Sequence, residues 1–103
     1  MQIAEAKQKN ICLLSLSGDI ESDDVNLFED KLRELLKRGE KYVVMDFKMV
    51  DVVPLSITQP LIRFGNSIRA NKGGVILRDL PETFRFVLKI IKISHLFEFK
   101  RSG

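Results

Sequence analysis

Ser56 and Thr58 stand two residues apart at the head of an amphipathic stripe, where a hydroxyl can either cap a helix or accept a phosphoryl group. The stripe is Ile57, Leu61, Phe64 and Ile68, spaced by four, three and four positions, which is one face of a helical period. As a cap, Ser56 heads Ser56-Ile57-Thr58-Gln59, a capping-box pattern flanked by Leu55 and Pro60 as a hydrophobic staple. A second reading takes Gln59 as the cap and Pro60 as the first helical residue. That start spares the hydrogen bond a proline deletes deeper in a helix, and it leaves Ser56 in the loop. As a phosphoacceptor, Ser56 (Thr58 being the weaker candidate) would carry about −1.5 to −2 charges against the positive end of the helix. The domain tolerates such a charge locally, whereas a partner pressed against the loop does not.

No other residue set suggests chemistry. His95 is the only histidine, with no second histidine, carboxylate pair or cysteine near it in sequence. Cys12 is alone in the apolar run Ile11 to Leu16 and reads as a small buried hydrophobe. A single cysteine excludes a disulfide framework and argues against a metal cluster. Gly73-Gly74 follows Lys72 as a helix stop made of residues that tolerate left-handed geometry; it is not a phosphate-cradling loop. The chain is therefore expected to have no catalytic residue, no metal and no cofactor, and not to be an enzyme.

The 17 basic and 14 acidic residues leave a net charge of +3. Arg63, Arg69, Lys72, Arg78, Arg85, Lys89 and Lys92 concentrate in the second half without forming a dense stripe, so they read as solvated helix faces and not as a nucleic-acid site. With 103 residues, 45% hydrophobic and 30% charged, the composition suits one globular domain over 1–103. No apolar run approaches the roughly 20 residues that span a bilayer, and Met1 to Lys7 lacks the apolar core of a leader. A cytoplasmic location and no membrane contact are expected.

The elements that position Ser56 follow from periodicity. Gln2 to Lys7 alternates weakly as an edge strand, turns at Gln8-Lys9-Asn10, and is followed by a stronger strand from Ile11 to Leu16. Ser17-Gly18-Asp19 ends that strand. Acids at Glu21, Asp23 and Asp24 precede the helical stripe Val25, Phe28, Leu32, Leu35 and Leu36, stopped by Lys37-Arg38-Gly39. Tyr42 to Phe47 reads as a buried strand, Ile57 to Lys72 as the second helix and Val75 to Leu77 as a strand. Asp79-Leu80-Pro81-Glu82 opens a last helix with an acid-headed cap, and Phe97 to Phe99 forms a final strand. The order ββαβαβαβ predicts an α/β fold with a mixed sheet: an antiparallel first pair and parallel strands joined through helices.

Within that order, Leu16-Ser17-Gly18-Asp19-Ile20-Glu21 before the first helix resembles the STAS domain. So do Met45-Asp46-Phe47, Gly73-Gly74 and Leu96-Phe97, and the likeness extends from about Ile11 to Phe99. It implies a protein-binding regulatory module of the bacterial anti-sigma factor antagonist type, with an anti-sigma factor or serine kinase-like protein as partner. Such antagonists carry Asp-Ser-Ser-Gly at the start of the second helix, where the kinase phosphorylates a serine. This chain has Pro54-Leu55-Ser56-Ile57. Counting from Asp46 sets Ser56 on the second serine, and counting back from Gly73 sets it on the phosphorylated first. The implied partner surface is Gly18, Asp19, Glu21 and Ser22 of the first loop, with Pro54, Leu55, Ser56, Thr58, Ile62 and Arg63 of the second segment. Glu21 falls where the family has an aspartate beside the partner loop, and reads equally as a helix-start acid. The alternatives are a non-switching scaffold or assembly subunit, and a nucleotide- or lipid-binding module.

In the last helix, Phe84, Val87, Leu88 and Ile91 form the expected core stripe, with Arg85, Lys89 and Lys92 as a basic flank. Phe86, Ile90 and Ile93 fall on roughly the opposite side. The resemblance implies burial for Ile90 and Ile93 but exposure for Phe86, which marks Phe86 as a candidate for self-association in a homo-oligomer or for another partner contact.

Overall fold

Strict alternation from Ile11 to Ser17 places Cys12, Leu14 and Leu16 on one face of a strand, all buried. The next strand repeats the pattern with Val43, Met45 and Phe47, and the one after with Val75 and Leu77. The computed structural model describes residues 1–102. Its elements are β1 (Gln2–Gln8), β2 (Ile11–Ser17), α1 (Val25–Lys37), β3 (Tyr42–Met49), α2 (Thr58–Ala70), β4 (Gly74–Arg78), α3 (Glu82–Ile90) and β5 (Glu98–Lys100). Short 3-10 turns at Ser22–Asp24, Leu55–Ile57 and Ser94–Leu96 precede α1, α2 and β5.

The five strands lie in the order β1-β2-β3-β4-β5, with β1 antiparallel to β2 and the rest parallel. Right-handed crossovers all taken in the same direction stack their helices on one face. Phe28, Leu32 and Leu35 of α1, Leu61, Phe64 and Ile68 of α2, and Phe84 and Leu88 of α3 share one core with the inward strand residues. The α2 stripe, Ile57 included, is buried as its spacing predicts. Strand residues on the other face, such as Leu13, Val44 and Ile76, are only half-buried.

Three local expectations are corrected. The left-handed residue after α2 is Lys72, at φ 64, and not Gly73. Gly73 is needed for space instead: a Cβ there would lie 1.9 Å from the Lys41 carbonyl oxygen, where β4 begins with the Gly74 N–H donating to that carbonyl at 2.8 Å. Asp79 does not cap α3, since Pro81 is the residue before the helix. Asp79 takes φ 55, and its carboxylate accepts the Ser102 N–H at 2.9 Å and the Ser102 hydroxyl, which hold it below the usual carboxylate range. Finally, Ile90 and Ile91 are exposed, because α3 ends at Ile90 and the chain reverses at Lys92 with φ 62. Ile93 packs against the core, and Phe86 is 63% exposed.

The edge strand β1 is tied to α1 by charge. Glu40, the one buried charged residue among those described, accepts Lys7 Nζ at 2.7 Å and Arg38 at 3.1 Å. Glu5 bonds Arg38 and takes Lys31 at 2.6 Å. First Arg38 and then Lys31 lower its carboxyl to about 2.

Candidate functional site

Two loops at the carboxyl ends of β2 and β3 present the residues singled out from sequence. Gly18 leaves β2 at φ 82, a left-handed conformation that glycine adopts without a Cβ penalty. Its N–H donates to the Met49 carbonyl at 3.0 Å, and the Ile20 N–H donates to the Val52 carbonyl at 3.0 Å. These two bonds stitch the β2–α1 loop to the β3–α2 loop. Buried Ile20 and Val50 anchor one loop each. Asp24 accepts the Glu21 N–H at 2.9 Å and lies 3.5 Å from the Met1 ammonium, so Asp24 fixes the entry to α1. Asp19, Glu21 and Ser22 stay exposed beside it.

In the second loop, Pro54 sits at φ −77, within the range its ring imposes, and leads into the 3-10 turn Leu55–Ile57. Ile57 is turned inward and buried, so Leu55 and Ser56 face outward. The capping box is not formed. The residue before α2 is Ile57, which has no side-chain acceptor, and no side-chain hydrogen bond caps either the 3-10 turn or α2. The alternative start at Gln59 is not adopted either, since α2 begins at Thr58 with Pro60 as its third residue. Ser56 is therefore an exposed hydroxyl at the amino-terminal end of α2, and Thr58 is half-buried behind it.

The structure adds two residues that the sequence reading missed. Met49 (69% exposed) and Val52 (54%) project beside the expected Leu55 (67%). Asp51 and Asp23 join Asp19 and Glu21 as exposed acids around them. The available signal was the run Met49 to Val53, apolar beyond the strand except for Asp51. The Val50 N–H turns back to the Phe47 carbonyl at 2.9 Å, directing Val50 inward while Met49 and Val52 point out. Two candidates are drawn away from this surface. Ile62 packs against the core, and Arg63 turns to α1 to pair with Glu29.

The two loops together present exposed acids, exposed apolar side chains and the Ser56 hydroxyl. A hollow of about 690 Å³ lies at the other end of the sheet among Tyr42, Arg69, Gly74 and His95. Among the described residues no three His, Cys, Asp or Glu side chains are placed to hold a metal ion, and no helix is long and apolar enough to cross a membrane.

The family model for the STAS domain matches residues 2–102. The chain belongs to the STAS domain family. Among curated proteins no sequence matches it. Solved structures similar to this STAS domain include the phosphorylated form of the Bacillus cell fate determinant SpoIIAA, at TM-score 0.80 and 13% identity over 99% of this chain and 92% of that one. An anti-sigma-factor antagonist (STAS) domain protein from Planctomyces limnophilus has TM-score 0.80 and 14% identity over 98% and 91% of the two chains. An anti-sigma factor antagonist from Mycobacterium paratuberculosis has TM-score 0.79 and 15% identity over 96% and 84%. At such identities the likeness is one of fold. The mixed five-stranded sheet with three helices is the STAS architecture.

Proposed function

We propose that this STAS domain is a protein-binding regulatory module of the anti-sigma factor antagonist type, docking an anti-sigma factor or serine kinase-like partner on the stitched loops. The observation that carries the reading is that Met49, Val52, Leu55 and Ser56 are all exposed on the second loop together with Asp51, while Asp19 and Glu21 are exposed on the first loop stitched to it. Protein interfaces combine apolar with polar side chains, and here the charged ones are acidic, which suits a basic partner surface. The loops are held by backbone bonds, so binding requires little ordering. Ser56 is the phosphoacceptor in this reading. Its phosphate would sit favourably at the start of α2, yet in the bound state it would be desolvated among apolar side chains, which favours release of the partner.

Titration calorimetry against the serine kinase-type anti-sigma factor of the same genome tests both parts. Leu55→Glu is expected to weaken binding at least tenfold, about 1.4 kcal/mol. Ser56→Asp is expected to weaken it comparably, and Ser56→Ala to retain it. Wild-type affinity for Leu55→Glu would remove the stitched loops as the docking surface; equal affinity for the Asp and Ala variants would remove Ser56 from the switch. One observation favours the non-switching alternative: in either register of Ser56 the acid and the glycine of the family motif are absent from this chain. In that case the loops bind and Ser56 is unmodified.

A further inference from the structure

A second exposed apolar surface lies along α3 and the free edge of the sheet. β5 is the terminal strand, three residues long, with its outer edge unpaired. Arg85 lies over the Phe99 ring, 4.8 Å from its centroid, a cation–π contact that holds the guanidinium against the edge strand. Beside it is a hollow of about 550 Å³ whose lining includes Arg85, Phe86, Lys89, His95 and Phe99. Phe86 and Ile90 succeed each other on the outer side of α3, 63% and 61% exposed, although nothing in helix formation calls for them there. Lys92 follows at the helix end. Glu82 also lines the hollow but is paired with Arg101, so the free charges of this apolar groove are basic.

The knob on the β2 and β3 loops is apolar and acidic. Among the described residues, neither its acids Asp19, Glu21, Asp23 and Asp51 nor the groove cations Arg85, Lys89 and Lys92 take part in an ion pair. Elsewhere pairing is mixed: Lys31 pairs with Glu5 and Arg78 with Asp46, whereas Lys9, Lys41 and Lys72 are also outside any ion pair among the described residues, so what marks the two surfaces is that their free charges of one sign lie beside exposed apolar side chains. One chain thus carries two surfaces of opposite charge, each with exposed apolar side chains, and neither satisfies the other internally.

We propose that the α3–β5 groove receives the acidic apolar knob of a second copy of this chain, giving head-to-tail association. The contact is heterologous: two different patches meet, so each added copy leaves one knob and one groove open, and assembly proceeds to a ring or an open chain. It rests on the knob being a docking surface, as argued above. The knob is then shared, so an anti-sigma partner on it terminates assembly.

Sedimentation velocity and light scattering on the full chain over a wide concentration range test this. Wild type should grow beyond two copies as concentration rises, and raising salt from about 50 to about 500 mM should weaken growth by at least tenfold. Leu55→Glu (knob blocked) and Phe86→Glu (groove blocked) should each be monomeric by themselves. Mixed in equal amounts they should form a pair that stops at two, because one supplies an intact groove and the other an intact knob. Lys89→Glu should behave as Phe86→Glu, which keeps the test valid should the Phe86 variant fail to fold. A monomer at every concentration, saturation at two copies in wild type, or a mixture that fails to pair would overturn the proposal. If Leu55→Glu loses the anti-sigma partner but still assembles, only this inference fails. If it keeps both, the knob reading fails as well.

Discussion

Replacing Ser56 separates a structural hydroxyl from a signalling one, and the geometry sets the magnitudes. A serine that caps a helix loses about 0.5–2 kcal/mol on change to alanine. Here no side-chain bond caps the 3-10 turn or α2, and Ser56 is exposed. Ser56→Ala should therefore stay within about 0.5 kcal/mol of wild type, the usual range for an exposed site, and alanine's better helix propensity leans slightly towards a gain. For Ser56→Asp two electrostatic effects oppose each other. The first turn of α2 contains no acid, so a carboxylate at its amino-terminal end gains about 0.3–1 kcal/mol from the helix dipole. Asp19, Glu21 and Asp51 repel it, but through solvent, where exposed charges interact by about 1 kcal/mol or less. The two nearly cancel. Urea unfolding followed by circular dichroism measures the balance, with an unchanged m-value as the check that the fold is intact. A loss above about 1 kcal/mol for the alanine variant would show that the hydroxyl is a cap after all. A loss above about 2 kcal/mol for the aspartate variant would show that the fold itself, and not a partner, rejects charge at this position.

Phe64 is 1% exposed at the centre of the α2 stripe, so Phe64→Ala should cost about 3–5 kcal/mol; an unchanged melting temperature would mean that the stripe does not face the sheet. Glu5 has its carboxyl held near 2, below its ordinary value of 4.5, by Arg38 and Lys31. Its folded form binds the proton less tightly than its unfolded form. The stability it contributes is therefore complete above about pH 4.5 and is lost as pH falls towards about 2. Glu5→Gln should flatten that part of the acid-unfolding curve, and an identical curve would show that the β1–α1 ion pairs are not coupled to folding.

The parts of the fold that were legible in the sequence are those set by period. Ile57, Leu61, Phe64 and Ile68 lie on one helical face whatever surrounds them, and the β2 alternation can bury only one face. Tertiary context decided the rest. Ile91 continues the α3 stripe by spacing, but the reversal at Lys92 ends the helix before that spacing can place it in the core. Ser56-Ile57-Thr58-Gln59 fits a capping box, yet burying Ile57 requires a 3-10 turn that moves Ser56 away from the cap position. Met49 and Val52 were unreadable as site residues because an apolar loop residue and an apolar strand residue look alike until the turn at Val50 assigns each a side.

The same geometry explains how this STAS chain can lack the family's loop motif and still hold its two loops together. The stitching bonds run from the Gly18 and Ile20 amides to the Met49 and Val52 carbonyls, and the inward anchors are Ile20, Val50 and Ile57. Leu55 and Ser56 contribute to neither set. Pro54, just ahead of them, fixes a backbone angle that the turn already uses. Outward side chains at these positions are therefore free to be set by a partner, because folding does not constrain them. It follows that stability measurements are nearly blind to this surface and binding measurements are not: Leu55→Glu and Ser56→Asp should change affinity while leaving the unfolding midpoint almost where it was.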